Sequence, residues 1–127
     1  MNWIEQVVEE FGQRIGLPHL ALDEERSLHL DSADGTSLGF YRIDDAAKPE
    51  VVVYRSMPAN YLSPAQYRMA LQAANFRANR PWPFQAACDQ RELFMAVRIP
   101  ERAFMLSSLE KALDDLGKSL EKISSVP

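Results

Sequence analysis

The sequence predicts an α+β fold in the order α-β-β-β-α-β-β-α, a twisted antiparallel sheet with helices packed on it. Three observations carry this. Apolar residues recur at helical spacing at both ends of the chain, alternating runs broken by turn residues lie between them, and a serine-proline helix start sits in the middle.

Between positions 2 and 15, Trp3, Ile4, Val7, Val8, Phe11 and Ile15 recur every three or four residues with Glu and Gln between them, the pattern of an amphipathic helix. Gly16 stands where a left-handed cap ends a helix, and Pro18 prevents its resumption. Leu20, Leu22, Leu28 and Leu30 then alternate with other residues, which predicts one strand, broken around Asp23-Glu24-Glu25-Arg26 and ending near Leu30. Asp31-Ser32-Ala33-Asp34-Gly35 reads as a tight turn. A second strand follows from Thr36 to Ile43, and the β-branched run Val51-Val52-Val53-Tyr54 predicts a third.

Ser63-Pro64-Ala65-Gln66 combines an N-cap serine, a proline at the first helical position and a glutamine at the third. The helix it opens is expected to reach about Ala78. Phe84, Ala86 and Cys88 share one strand face, Asp89-Gln90 makes a turn, and Leu93, Met95, Val97 and Ile99 share one face of the last strand. Ser107-Ser108-Leu109-Glu110 reads as a capping box for a closing helix whose leucines step by threes and fours from Leu106 to Ile123.

A chain of 127 residues, 46% hydrophobic and 25% charged, is expected to form a single domain, 1–127, around one modest core. It has no apolar run of the length a membrane-spanning helix requires, so no membrane insertion is expected. The net charge of −4 offers no clustered cations for phosphate backbones, which argues against a nucleic-acid partner. The N-terminus lacks a basic segment followed by a continuous apolar one, which makes a cytoplasmic location the expectation. Cys88 is the single cysteine, so neither an intrachain disulfide nor a cysteine-based zinc site can be assembled.

The sequence carries little chemistry. His19 and His29 sit in strand-like surroundings without a triad or metal motif, and a calcium loop begun at Asp31 would put Arg42 where a bidentate Glu belongs. The five glycines are dispersed, so no phosphate loop is present. Cys88 shares the apolar parity of Phe84 and Ala86 and reads as an inert, buried small hydrophobe. The expectation is a protein without enzymatic activity, cofactor or metal.

What remains is surplus apolar surface. Phe94 lies on the opposite strand face from Leu93 and Met95, and the arc of Trp3, Val7 and Phe11 is broad. Core packing and a partner surface both account for it. A symmetric partner covering the second sheet face would make the protein a dimer, with the middle helix and the hairpin after it as the contact.

Phe11-Gly12-Gln13-Arg14-Ile15-Gly16-Leu17-Pro18 followed by Leu20-Ala21-Leu22-Asp23-Glu24 resembles the start of class I type III secretion chaperones, the CesT/Tir chaperone-like family. Within it, Trp3-Ile4-Glu5, Gly16, Pro18 and the closing leucine-rich helix are most similar to the SycN type. The resemblance implies a dimer that holds the non-globular N-terminal segment of a secreted effector or gatekeeper protein in an export-competent state. The dimer would be either a homodimer or a heterodimer with a second small chaperone, peripheral to the secretion apparatus. On this reading cargo contacts fall to Trp3, Val7, Phe11 and Phe94, and dimer contacts to Tyr67, Leu71 and Phe84. The competing readings are a small regulatory adaptor that binds a folded partner, unrelated to secretion, and a ligand-binding domain or enzyme with an inconspicuous site.

Overall fold

The computed structural model describes residues 3–24, 26–44, 47–59, 62–74, 82, 84–89 and 91–127. Helix α1 spans Trp3–Arg14, and strands β1, β2 and β3 span Ser27–Asp31, Ser37–Ile43 and Glu50–Pro58. Helix α2 (Pro64–Ala73), strands β4 (Phe84–Cys88) and β5 (Glu92–Pro100), a short 3-10 turn (Glu101–Ala103) and helix α3 (Leu106–Ser125) complete the order. The strands form one antiparallel sheet, ordered β1-β2-β3-β5-β4, so β1 and β4 are its edges.

Helix α3 lies on β3 and β5, and α1 lies beside α3, with Phe11 edge-on to Phe40 of β2 at 6.1 Å. The strict alternation of β5 explains why this face is the core. Leu93, Met95, Val97 and Ile99 are all buried and meet Val8, Leu109, Leu116 and Ile123 in one apolar cluster. Fully burying each such side chain is worth about 1.5–3 kcal/mol.

Local signals are met where the chain answers only to its neighbours. Gly16 closes α1 at φ +83°, with Leu17 N–H donating to the Gly12 carbonyl and Gly16 N–H to that of Gln13, the Schellman pattern. At α2 the capping box forms: Gln66 N–H donates to Ser63 Oγ at 3.1 Å and Ser63 N–H to Gln66 Oε1 at 2.8 Å. In the first hairpin Asp34 accepts from both the N–H and the hydroxyl of Thr36. These bonds hold its carboxyl below the usual value.

Other expectations need correction. The strand expected from Leu20 begins only at Ser27, because Arg26 turns left-handed at φ 61° and the Asp23 carboxylate takes the N–H and hydroxyl of Ser27. Leu20 and Leu22 still pack against the core, and His19 lies in a turn rather than a strand. Strand β3 runs on to Pro58 because its ladder with β5 continues through Met57↔Leu93 to Pro58↔Glu92. Helix α2 ends at Ala73, and the rest of the expected helix, 75–78, lies outside the described residues. The capping box expected at Ser107 does not form. Helix α3 starts at Leu106 with Met105 as N-cap and no side-chain cap bond, since the 3-10 turn and buried Phe104 deliver the chain into the helix earlier.

Candidate binding surfaces

The sheet has a second face that neither α1 nor α3 covers. By register it is made of Ser27, His29 and Asp31 on β1, Gly39 and Tyr41 on β2, Val52 and Tyr54 on β3, Phe94 and Ala96 on β5, and Gln85 and Ala87 on β4. Tyr54 is its centre. Its ring lies 6.4 Å from Tyr41, 6.2 Å from Phe94 and 6.0 Å, stacked, from His29. Tyr41, Tyr54 and Phe94 line a wide groove of about 1040 Å³ with Val52, Ala96 and Arg98.

A hydrogen-bonded row fixes this face. His29 Nδ1 is 2.7 Å from Tyr54 Oη, His29 Nε2 is 2.8 Å from Asp31 Oδ1, and Ser37 Oγ donates to Asp31 Oδ1 at 2.7 Å. The Ser37 and His29 bonds hold the Asp31 carboxyl below its usual value. Burial raises the Tyr54 hydroxyl above its own. Tyr54 reaches His29 by lying across Gly39, where a Cβ would overlap Tyr54 Oη and the Leu28 carbonyl. Glycine is therefore required there by close approach rather than by backbone conformation.

The residues expected to meet cargo are split by the structure. Trp3 is exposed and Phe94 half-buried on the open face. Val7 and Phe11 are buried at 7% and 4% exposure, turned into the core by the helical period that places them with Ile4 and Val8, and they offer no surface. Tyr67 and Leu71 are exposed on α2, Leu71 at 71%. Phe84, expected beside them, is a core residue, cross-strand from Val97. Cys88 is exposed, not buried, because β4 runs past the helices: after Phe84, every residue of the strand is open. Tyr67, Leu71, Ala86 and Cys88 thus sit on neighbouring elements α2 and β4.

The sequence reading missed Tyr41 and Tyr54. Their signal was available in the parity of β2 and β3, where Tyr41 alternates with Phe40 and Tyr54 with Val53. A second groove, about 470 Å³, runs between α1 and the segment 18–23, over Ile4, Val8 and Leu20.

Among the described residues no cluster of three metal-ligating side chains occurs, and no helix is long and apolar enough to cross a membrane. The structure is thus a five-stranded antiparallel sheet with helices on one face and an open aromatic groove on the other. The chain belongs to the Tir chaperone protein (CesT) family, whose model matches residues 6–124.

Solved structures agree in fold. A chain of the ExsC-ExsE complex is similar with a TM-score of 0.76 and 19% identity, over 98% of this chain and 94% of that one. The Yersinia pestis type III secretion chaperone SycH, in complex with a fragment of YscM2, gives a TM-score of 0.68 and 17% identity over 93% of this chain and 98% of that one. The ExoU-SpcU complex of the type III secretion system of Pseudomonas aeruginosa gives 0.51 and 21% identity, over 95% and 92%. No curated protein matches the chain in sequence.

Proposed function

We propose that this chain is a cytoplasmic type III secretion chaperone that works by binding rather than catalysis. It holds the non-globular N-terminal segment of a secreted protein ready for export, with a gatekeeper as cargo in keeping with its SycN-like features. The observation that carries the reading is the open aromatic groove on the sheet of a CesT-family chain. Contiguous apolar surface of this kind is costly to leave in water and marks a binding site. The neighbours support it, since SycH is itself solved with a bound protein fragment.

An extended segment lays apolar side chains over Tyr41, Tyr54 and Phe94, and adds backbone hydrogen bonds along the free edge of β1. Trp3 provides a further apolar contact, while Val7 and Phe11 act from beneath by fixing α1. Dimerisation uses the second open surface, Tyr67 and Leu71 of α2 with the exposed part of β4, supported from inside by Phe84.

The test is capture on the tagged chain from cells that express the secretion genes. The wild type is expected to retain a secreted protein through its N-terminal region, and Phe94→Glu, with an unchanged circular dichroism spectrum, is expected to lose it. Equal retention by both would remove the groove from the site. Retention of only a folded cytosolic protein would favour the adaptor reading.

A further inference from the structure

The pairing edge that β1 offers is shorter than the strand itself. Arg42 N–H donates to the Arg26 carbonyl, and Ser32 N–H to that of Thr36. In the alternating ladder of an antiparallel pair, the even-numbered residues of β1 therefore spend their backbone groups on β2. The backbone groups of Ser27, His29 and Asp31 point the other way. Ser27 is already taken, since its carbonyl accepts from the Asp23 N–H at 2.9 Å and its own N–H donates to Asp23 Oδ1 at 2.9 Å. Asp23 thus supplies a donor and an acceptor, as a neighbouring strand would, and the left-handed turn at Arg26 brings the chain back to do so. Among the described residues of β1, only His29 and Asp31 are left to pair with an added strand.

The side chains of these two residues give the edge a chemical preference. The Asp31 side chain is 74% exposed, yet Ser37 and His29 hold it in place, both through Oδ1. Its depressed carboxyl keeps it charged at neutral pH. His29 leads in turn to the Tyr54 ring and the groove. A residue paired with Asp31 stands on the same face as its carboxylate, and the residue two positions away stands beside His29. Resting on the reading of this chain as a secretion chaperone, we propose that β1 fixes the register of the bound segment. The segment pairs by backbone with His29 and Asp31 only, sets a Lys or Arg against the Asp31 carboxylate, and places an apolar side chain two residues away beside His29. Asp23 stops it at Ser27 and guards that end of the edge when no segment is bound.

Amide hydrogen exchange on the chain alone tests the edge. His29 and Asp31 are expected to exchange about tenfold faster than Ser27, Leu28 and Leu30, and Asp23→Ala to release Ser27 by a similar factor. His29 and Asp31 amides as slow as that of Leu28 would overturn the proposal. The pairing is tested with overlapping synthetic peptides from the N-terminal region of the secreted protein captured on this chain, each N-methylated at one backbone nitrogen at a time. Two positions, two residues apart, are expected to weaken binding about tenfold each, with the position between them unaffected. Asp31→Asn, or Gln in place of the peptide's Lys or Arg, is expected to weaken binding about threefold, with no further loss when both are changed. Three or more alternating sensitive positions on the wild type would overturn the Asp23 stop. Binding without any alternating pattern, or unmoved by Asp31→Asn, would overturn the β1 register and leave the chaperone reading intact. Capture of no secreted protein at all would overturn that reading, and this proposal with it.

Discussion

Glu101→Ala isolates one buried interaction whose loss can be sized. Arg42 of β2 and Glu101 of the 3-10 turn are joined by two hydrogen bonds of 3.0 and 2.9 Å, and their side chains are only 13% and 12% exposed. Arg42 Nε is buried with no partner among the described residues, so Glu101 is the charge that compensates this guanidinium. Removing one member of a buried pair leaves an unpaired ion and costs about 3–5 kcal/mol. Residual hydration at this depth favours the lower end, about 3 kcal/mol, a large share of the stability of a domain this size. Urea unfolding followed by circular dichroism should show that loss, with a melting temperature lower by about 10 °C. Replacing both residues, Arg42→Met with Glu101→Leu, should restore most of it, because the cost lies in the unpaired charge. A Glu101→Ala variant within about 1 kcal/mol of the wild type, or a double variant no better than the single, would refute the reasoning.

Gly39→Ala is expected to cost about 1–3 kcal/mol in urea unfolding, since the overlap with the Leu28 carbonyl involves backbone that cannot step aside. Leu71→Glu should change stability by less than about 0.5 kcal/mol, because Leu71 is 71% exposed, while abolishing association measured by sedimentation. The carboxyls of Asp31, Asp34 and Asp89 are held below 3.8 by hydrogen bonds. A depressed folded value stabilises the fold fully above the unfolded value, and that stability is lost as pH falls through the folded one. The urea midpoint should therefore respond to these groups only below about pH 4, and Asp34→Asn should reduce the acid-side loss.

Much of the fold could be read from short-range pattern. The β5 alternation from Leu93 to Ile99, the Gly16 stop and the Ser63 capping box involve residues within a few positions of each other, and each forms as the pattern requires. The errors arise where side-chain bonds and burial, rather than periodicity, decide. Arg26 takes a left-handed conformation between bonds from Asp23 to Ser27 and from the Arg42 N–H to its own carbonyl, which shortens β1 in a way no alternation count shows. Met105 begins α3 without a side-chain cap because buried Phe104 fixes the approach.

The site was only partly legible for the same reason. Parity separates Phe94 from Leu93 correctly, but it cannot say that helices cover β5 and leave most of β4 open, and this exposes Cys88. Helical spacing grouped Val7 and Phe11 with Trp3 as one broad arc, whereas the sheet takes the first two and leaves the third in solvent. The Tyr41–Tyr54–Phe94 row needs the register of three strands, and the Arg42–Glu101 pair joins positions 59 apart.

The measurement that bears most directly on the chaperone reading is amide hydrogen exchange on the captured secreted protein's N-terminal region, free and bound to this chain. The account predicts rapid exchange throughout the free segment, protection confined to a short extended stretch on binding, and matching protection at β1 and around Tyr54 in this chain. A segment already protected when free, or protection that appears on a folded domain of the partner while β1 and the groove stay unchanged, would contradict it.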